Sequence, residues 1–181
     1  MTSTVRTLID ADRLALRVRE LGAKISADHA ATDDLVLVCV LKGGFVFAAD
    51  LVRAIEVPTS VEFVRARSYG NAEHSSGVVE IEDDLTRSIE GKNVLLVEDI
   101  VDTGLTTQVL LGRLSARRPK TLRVAALLHK PSRQRVAVEI TYLGFTIEDV
   151  FVVGYGLDHA ERYRSLPFVA VLGHPEPAVE D

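Results

Sequence analysis

An α/β fold built on a doubly wound, mostly parallel sheet is predicted here by three observations. Apolar runs of strand length begin near residues 35, 94, 121 and 150. Helical periodicity fills the spaces between the earlier runs. The runs are also continuous rather than alternating, as strands covered on both faces must be, and in such sheets the ligand loops gather at the strand tips. At 181 residues the chain reads as a single domain, 1–181, long enough to bury a sizeable core.

Composition narrows the function classes. Hydrophobic residues make up 47% and charged residues 26%, which marks a globular chain. A net charge of −5 leaves no basic footprint for nucleic acid, so no nucleic-acid partner is expected. No apolar run approaches the length of a membrane span, and Met-Thr-Ser-Thr-Val-Arg at the start lacks an apolar signal core. A cytoplasmic protein with no membrane partner is the expectation. Cys39 is the single cysteine, set among aliphatic residues, and reads as core filler.

Over residues 10–29, Leu14, Val18, Leu21 and Ile25 share one helical face, so a packing helix without chemistry is expected. Leu35–Leu41 reads as a central strand, and its tip is Lys42-Gly43-Gly44 ahead of a helix over 45–55. Glycine lets backbone approach an oxyanion and lysine brings charge, which describes an anion site; a flexible turn with a surface lysine is the plain alternative. A strand follows over 59–67. Residues 68–77 are polar, carry Gly70 and Gly77, and read as a lid loop. The chain returns as a strand over 78–85, and residues 84–91 turn it toward the next one.

The apolar residues 94–97 end abruptly in Glu98 and Asp99, and a third acid, Asp102, opens a Thr/Gly-rich turn before a helix over 106–116. This pattern is a buried strand delivering carboxylates to its tip. The turn offers backbone N–H groups and the hydroxyls of Thr103, Thr106 and Thr107 at a helix start, the donors a phosphate needs. Acids before the turn and a phosphate cradle within it suggest a substrate with both ribose hydroxyls and phosphate; a solvated acidic strand end is the plain alternative. The aspartic-protease triplet has the same letters as Asp102-Thr103-Gly104 but sits in all-β chains, and no lysine is placed for a Walker loop.

The strand over 121–128 ends in His129-Lys130-Pro131, and residues 136–142 suggest a short strand. Residues 149–158 form the last strong strand-to-loop unit, followed by Tyr163-Arg164 and a closing strand over 168–172. The tail from Gly173 is Pro-rich and acidic, and is expected to fray.

The run Glu98-Asp99-Ile100-Val101-Asp102-Thr103-Gly104-Leu105-Thr106 resembles the phosphoribosyl-pyrophosphate motif of the type I phosphoribosyltransferases, specifically their hypoxanthine-guanine branch. Leu41-Lys42-Gly43-Gly44 resembles that family's pyrophosphate loop, and Ser68-Tyr69 stands where its mobile loop carries a Ser-Tyr pair. The match runs from roughly residue 35 to 172, in four motifs in the right order.

The resemblance implies a small hood over the sheet, made from the N-terminal segment and roughly 130–181, with a base held between hood and core. It implies purine salvage: transfer of the 5-phosphoribosyl group from phosphoribosyl pyrophosphate to a 6-oxopurine, hypoxanthine or guanine, giving IMP or GMP and pyrophosphate. Asp102 would be the general base. Lys42, Gly43 and Arg164 would hold the pyrophosphate, with Ser68 and Tyr69 on the mobile loop. Glu98 and Asp99 would hold the ribose hydroxyls, and residues Thr103, Gly104, Leu105 and Thr106 the 5-phosphate. Lys130 would meet the purine's 6-oxygen, Phe151 its face and Val152 its edge. Mg2+ is the implied cofactor, held through Glu98, Asp99 and Asp158, and a homodimer or homotetramer the implied assembly. Alternatives are transfer to xanthine, adenine or another base, or a non-catalytic nucleotide- and RNA-binding regulator of the same fold.

Overall fold

The computed structural model describes residues 4–31, 34–71, 74–83 and 85–173. In chain order its elements are β1 (Thr4–Ile9), α1 (Ala11–Asp28), β2 (Leu35–Leu41), α2 (Phe45–Ala54), β3 (Thr59–Asn71), β4 (His74–Asp83), β5 (Asn93–Val101), α3 (Leu105–Ser115), β6 (Thr121–His129), a 3-10 turn (Pro131–Arg133), β7 (Tyr142–Thr146), β8 (Val152–Val153) and β9 (Val169–Gly173).

The larger sheet has the order β4-β3-β2-β5-β6-β7. Strands β3, β2, β5, β6 and β7 run parallel, and β4 pairs antiparallel on the edge. Side chains of a strand alternate between faces, so the continuous apolar run of β2 feeds two cores. Leu35, Leu37 and Cys39 pack with α1 and α2 through Leu14, Ile25, Phe47 and Leu51. Val36, Val38 and Val40 pack on the other face with Leu110 and Leu114 of α3. Helices therefore cover both faces, as the doubly wound reading requires. Cys39 is fully buried and its thiol is pushed up to about 12 by burial, the condition of a core residue and not of a nucleophile.

A second sheet, antiparallel with the order β1-β9-β8, joins the two ends of the described chain. Its register pairs Val5 with Leu172 and Val152 with Val171. Periodicity marks no element in the N-terminal residues. Six residues with alternating partners are too short a stretch to stand out, and pairing with β9 is what makes them a strand.

Three expectations change. Residues 68–71 and 74–77 are not loop but the outer part of a β-ribbon, with Ser68 opposite Val79, Tyr69 opposite Val78 and Asn71 opposite His74. Antiparallel backbone pairing needs no apolar face, so polarity was a poor guide. The short strand expected over 136–142 lies later, at Tyr142–Thr146. Residues 135 and 136 instead donate their backbone N–H groups to the Thr103 carbonyl, at 2.9 and 3.2 Å, and so brace the turn before α3. The strand expected within 149–158 contracts to two residues, Val152–Val153. The tail beyond Gly173 lies outside the described residues.

Candidate active site

The C-terminal tips of β2, β5 and β6 open onto one cleft of about 530 Å³. Lys42, Gly43, Asp99, Asp102, Lys130, Phe151, Val152, Asp158 and Arg164 all line it. These come from stretches far apart in sequence, brought together because parallel strands present their C-terminal ends on one side.

Strand alternation separates the acid pair at the tip of β5. Asp99 lines the cleft, whereas Glu98 is 4% exposed and lies against Thr107 of α3. Burial raises the Glu98 carboxyl to about 8, opposed by a hydrogen bond from Thr107, and its Oε1 has no hydrogen-bond partner among the described residues. Burial also raises Asp99, to about 6, against backbone hydrogen bonds and the nearby Arg164 guanidinium, while Asp158 pushes it further up. Glu98 is held from water without a counter-charge, whereas Asp99 is half-buried at the cleft wall with the Arg164 guanidinium near it.

The loop after β2 fits tightly against this acid. A Cβ on Gly43 would overlap the Asp99 carboxylate, and one on Gly156, at a φ of 99°, would overlap the Gly43 carbonyl. Glycine at both positions lets the Lys42-Gly43 loop, Asp99 and the 154–157 segment approach without side chains between them. Lys42 Nζ donates to Glu161 Oε1 at 3.0 Å. Arg164 Nη2 lies 2.7 Å from Asp158 Oδ1, and its Nη1 donates to the Gly156 carbonyl at 2.8 Å.

A second charged group forms along the same cleft. Arg133 Nε is 3.0 Å from Asp102 Oδ1, and its Nη1 is 3.5 Å from Asp149 Oδ1. Lys130 is 7% exposed, with Nζ 3.9 Å from the same Asp149 oxygen. Burial lowers the Lys130 ammonium, and the Asp102 and Asp149 charges act in the opposite direction. The Arg133–Asp102 contact is an ion pair by distance without hydrogen-bond alignment, since Asp102 Oδ1 has no hydrogen-bond partner among the described residues.

The turn after Asp102 does not itself line the cleft; Asp102 joins the two. Gly104, at a φ of 81°, is the N-cap of α3 and makes no side-chain cap hydrogen bond. The Val136 carbonyl fills the space that a Cβ there would take. Thr103, Leu105 and Thr106 stand around this helix start, with Leu105 N 3.4 Å from Thr103 Oγ1. Phe151 is 51% exposed and meets the His159 ring edge-on at 5.4 Å, so it is no core residue, whereas Val152 is buried. Ser68 and Tyr69 belong to β3 by backbone, and their side chains lie outside the described residues.

Residues 5–160 match the family model described as a phosphoribosyl transferase domain. The hypoxanthine-guanine phosphoribosyltransferase of Mycobacterium tuberculosis is 49% identical over 170 residues, covering 91% of this chain and 84% of that one. The chain belongs to the hypoxanthine-guanine phosphoribosyltransferase family. The family's Dictyostelium discoideum member is 50% identical over 159 residues, covering 86% of this chain and 88% of that one. Among solved structures, a hypoxanthine-guanine phosphoribosyltransferase from Bacillus anthracis superposes with a TM-score of 0.88 at 44% identity, over 93% of this chain and 99% of that chain. The fold described above is thus that of the phosphoribosyltransferase family, including its five-strand parallel sheet.

Arg65, Arg133 and Glu161 also line the cleft, and sequence reasoning missed them. Arg65 lies mid-way along β3 and pairs with Leu41, the last residue of β2, a position that follows from register alone. Arg133 and Glu161 each follow a recognised residue by three, Lys130 and Asp158, and spacing of that kind was the available signal.

Proposed function

We propose that this chain transfers the 5-phosphoribosyl group of phosphoribosyl pyrophosphate to hypoxanthine and guanine in purine salvage, forming IMP or GMP and releasing pyrophosphate. The observation that carries this reading is the pairing of two charged groups along one cleft. Lys42 and Arg164 stand with Asp99 and Asp158 in the first, and Lys130 stands with Asp102 and Arg133 in the second. The first suits a sugar diphosphate and the second a polar heterocycle.

In the reaction the C1–O bond to pyrophosphate breaks and the C1–N9 bond to the purine forms, through positive charge on the ribose. Lys42, the Gly43 amide and Arg164 neutralise the leaving pyrophosphate. Asp99, at the cleft wall, holds the ribose hydroxyls and its carboxylate stabilises the developing cation, while Glu98, expected to share that role, lies behind it against Thr107. The turn Thr103-Gly104-Leu105-Thr106, whose helix cap is a glycine without a side-chain bond, leaves backbone N–H groups to the 5-phosphate. Asp102 takes the purine N7 proton as N9 attacks. Lys130, held nearly dry, donates to the 6-oxygen, the exposed face of Phe151 stacks on the ring, and the Val152 backbone meets its edge. Ser68 and Tyr69 close over the sugar from the β3–β4 ribbon, and β1-β9-β8 acts as the hood of a single-domain protein.

The donor set suits Mg2+. The cleft presents Asp99 and Asp158 as hard oxygen ligands, with Glu98 buried behind Asp99, and among the described residues no cluster of three or more His, Cys, Asp or Glu side chains forms a closed metal cage. Magnesium takes few protein carboxylates and fills its octahedron with water and phosphate oxygens. Bound there, it would supply added charge stabilisation on the pyrophosphate. A homodimer or homotetramer and a cytoplasmic location belong to the same reading, and among the described residues no helix is long and apolar enough to cross a membrane.

A nucleobase panel assayed with phosphoribosyl pyrophosphate and Mg2+ tests the assignment. Hypoxanthine and guanine should be converted with efficiencies at least a hundredfold above adenine, since a site built for a 6-oxygen strongly rejects a base lacking it. Preferred use of adenine or a pyrimidine, or no turnover with any base, would overturn it.

A further inference from the structure

One carboxylate of the chain bridges the two cations assigned above to pyrophosphate. Lys42 Nζ donates to Glu161 Oε1 at 3.0 Å, and Arg164 Nη2 donates to Glu161 Oε2 at 3.3 Å. The other acid on Arg164 is Asp158, at 2.7 Å. Asp158 also accepts the Glu161 backbone N–H at 2.8 Å, closing a tight turn in which Ala160, Glu161 and Tyr163 have φ values of 50°, 61° and 75°. Residues with side chains adopt that region uncommonly, and here it turns Glu161 back to line the cleft. The two cations hold the Glu161 carboxyl below its ordinary range, Lys42 most strongly.

We propose that Glu161 is an internal anion that competes with pyrophosphate for Lys42 and Arg164, and so sets the affinity of that subsite. The proposal rests on the reading of Lys42 and Arg164 as the pyrophosphate holders. Each contact is of a kind that exchanges readily. The Glu161 side chain is 66% exposed and that of Lys42 49% exposed, so water is at hand to replace either partner and the pair is weak. Pyrophosphate brings more charge and more acceptor oxygens than one carboxylate, so it wins the exchange. Until it does, the carboxylate keeps two like charges from repelling each other out of position. A ligand binding to wild-type protein must break both Glu161 contacts first, and that cost lowers its apparent affinity.

The sign of one substitution separates this role from a structural one. If Glu161 only braced the loop, removing its charge would loosen Lys42 and Arg164 and weaken binding. As a competitor, its removal tightens binding. Inorganic pyrophosphate is titrated by calorimetry into wild-type protein, Glu161→Gln, Glu161→Ala and Lys42→Ala, without divalent metal and again with Mg2+. The two Glu161 variants should bind metal-free pyrophosphate about three- to tenfold more tightly, the scale of two exposed ion pairs released, and the gain should shrink at high salt. Unchanged or weaker binding in both Glu161 variants overturns the proposal. The Lys42→Ala arm tests the reading beneath it. Weaker binding there with no gain in the Glu161 variants sinks the competitor alone, and unchanged binding there sinks the pyrophosphate subsite itself.

Discussion

Gly43 and Asp99 share one space: a side chain on the first would overlap the carboxylate of the second. Asp99 lines the cleft and is boxed by burial, backbone hydrogen bonds and Arg164, so it has little room to yield. Gly43→Ala should therefore displace a catalytic-site carboxylate while leaving the two hydrophobic cores untouched. We expect kcat/KM for phosphoribosyl pyrophosphate to fall by roughly a hundredfold, the usual cost of about 1 Å of misplacement, with the melting temperature shifted by only a few degrees. Steady-state kinetics beside a thermal melt check this. Full activity in a folded Gly43→Ala protein would show that Asp99 need not sit where Gly43 leaves it.

The raised carboxyls at the tip of β5 predict a pH-dependent stability. Glu98 rises from an ordinary 4.5 to about 8 and Asp99 from 3.8 to about 6, both chiefly through burial. Each carboxyl then holds its proton more tightly folded than unfolded, so stability from these groups is fully present below the ordinary values. It is lost as pH rises toward 6 for Asp99 and toward 8 for Glu98, and is flat above that. Metal-free protein should melt at least about 5 °C lower at pH 8 than at pH 5, and Glu98→Gln should flatten much of the decline. A melting temperature that rises over this range, or a variant with the wild-type slope, would contradict the assignment.

How much of this was readable beforehand differs by residue. The alternation of β2 into two cores, and the acids closing β5, follow from local pattern, because a strand buried on both faces has no polar positions to spare. Lys42 and the turn at Gly104 were legible because glycine marks close backbone approach. The ribbon of β3 and β4 was not, since its strands are defined by pairing with each other. Nor were Arg133 and Glu161, whose significance lies in reaching Asp102 and Lys42 across 31 and 119 residues of chain. The separation of Glu98 from Asp99 is implicit in strand periodicity, although two adjacent acids at a strand end resemble one pair acting together.

Lys130 predicts selectivity. It is buried at 7% exposure, and its ion-pair partner Asp149 is as far as 3.9 Å away, so a 6-oxygen entering the cleft gains a donor that is not fully used elsewhere. Lys130→Met would leave that oxygen unpaired in a dry pocket, at a cost of about 1–3 kcal/mol of transition-state binding. Adenine lacks the oxygen and should gain relative to hypoxanthine. The ratio of catalytic efficiencies for the two bases is the readout, and an unchanged ratio would remove Lys130 from base recognition.

Asp102 stands at the junction of the phosphate turn and the base-binding group, with Arg133 at 3.0 Å and α3 beginning three residues later. Two roles compete for such a residue, a proton acceptor and a helix cap. The cap of α3 is Gly104, so a capping role for Asp102 has no bond to rest on. Its Oδ1 lies beside Arg133 without a hydrogen bond among the described residues, and Asp102 lines the cleft that a purine would enter. Asp102→Asn keeps the size and can still face Arg133, but it removes the site for the purine N7 proton. Turnover should fall by roughly a hundred- to ten-thousandfold, while affinity for phosphoribosyl pyrophosphate survives because the turn's backbone amides are unchanged. A pre-steady-state burst assay is the right measurement, since slow product release would otherwise hide part of the loss. Near wild-type chemistry in a folded Asp102→Asn protein would leave Asp102 as a partner for Arg133 and require another residue to take the proton.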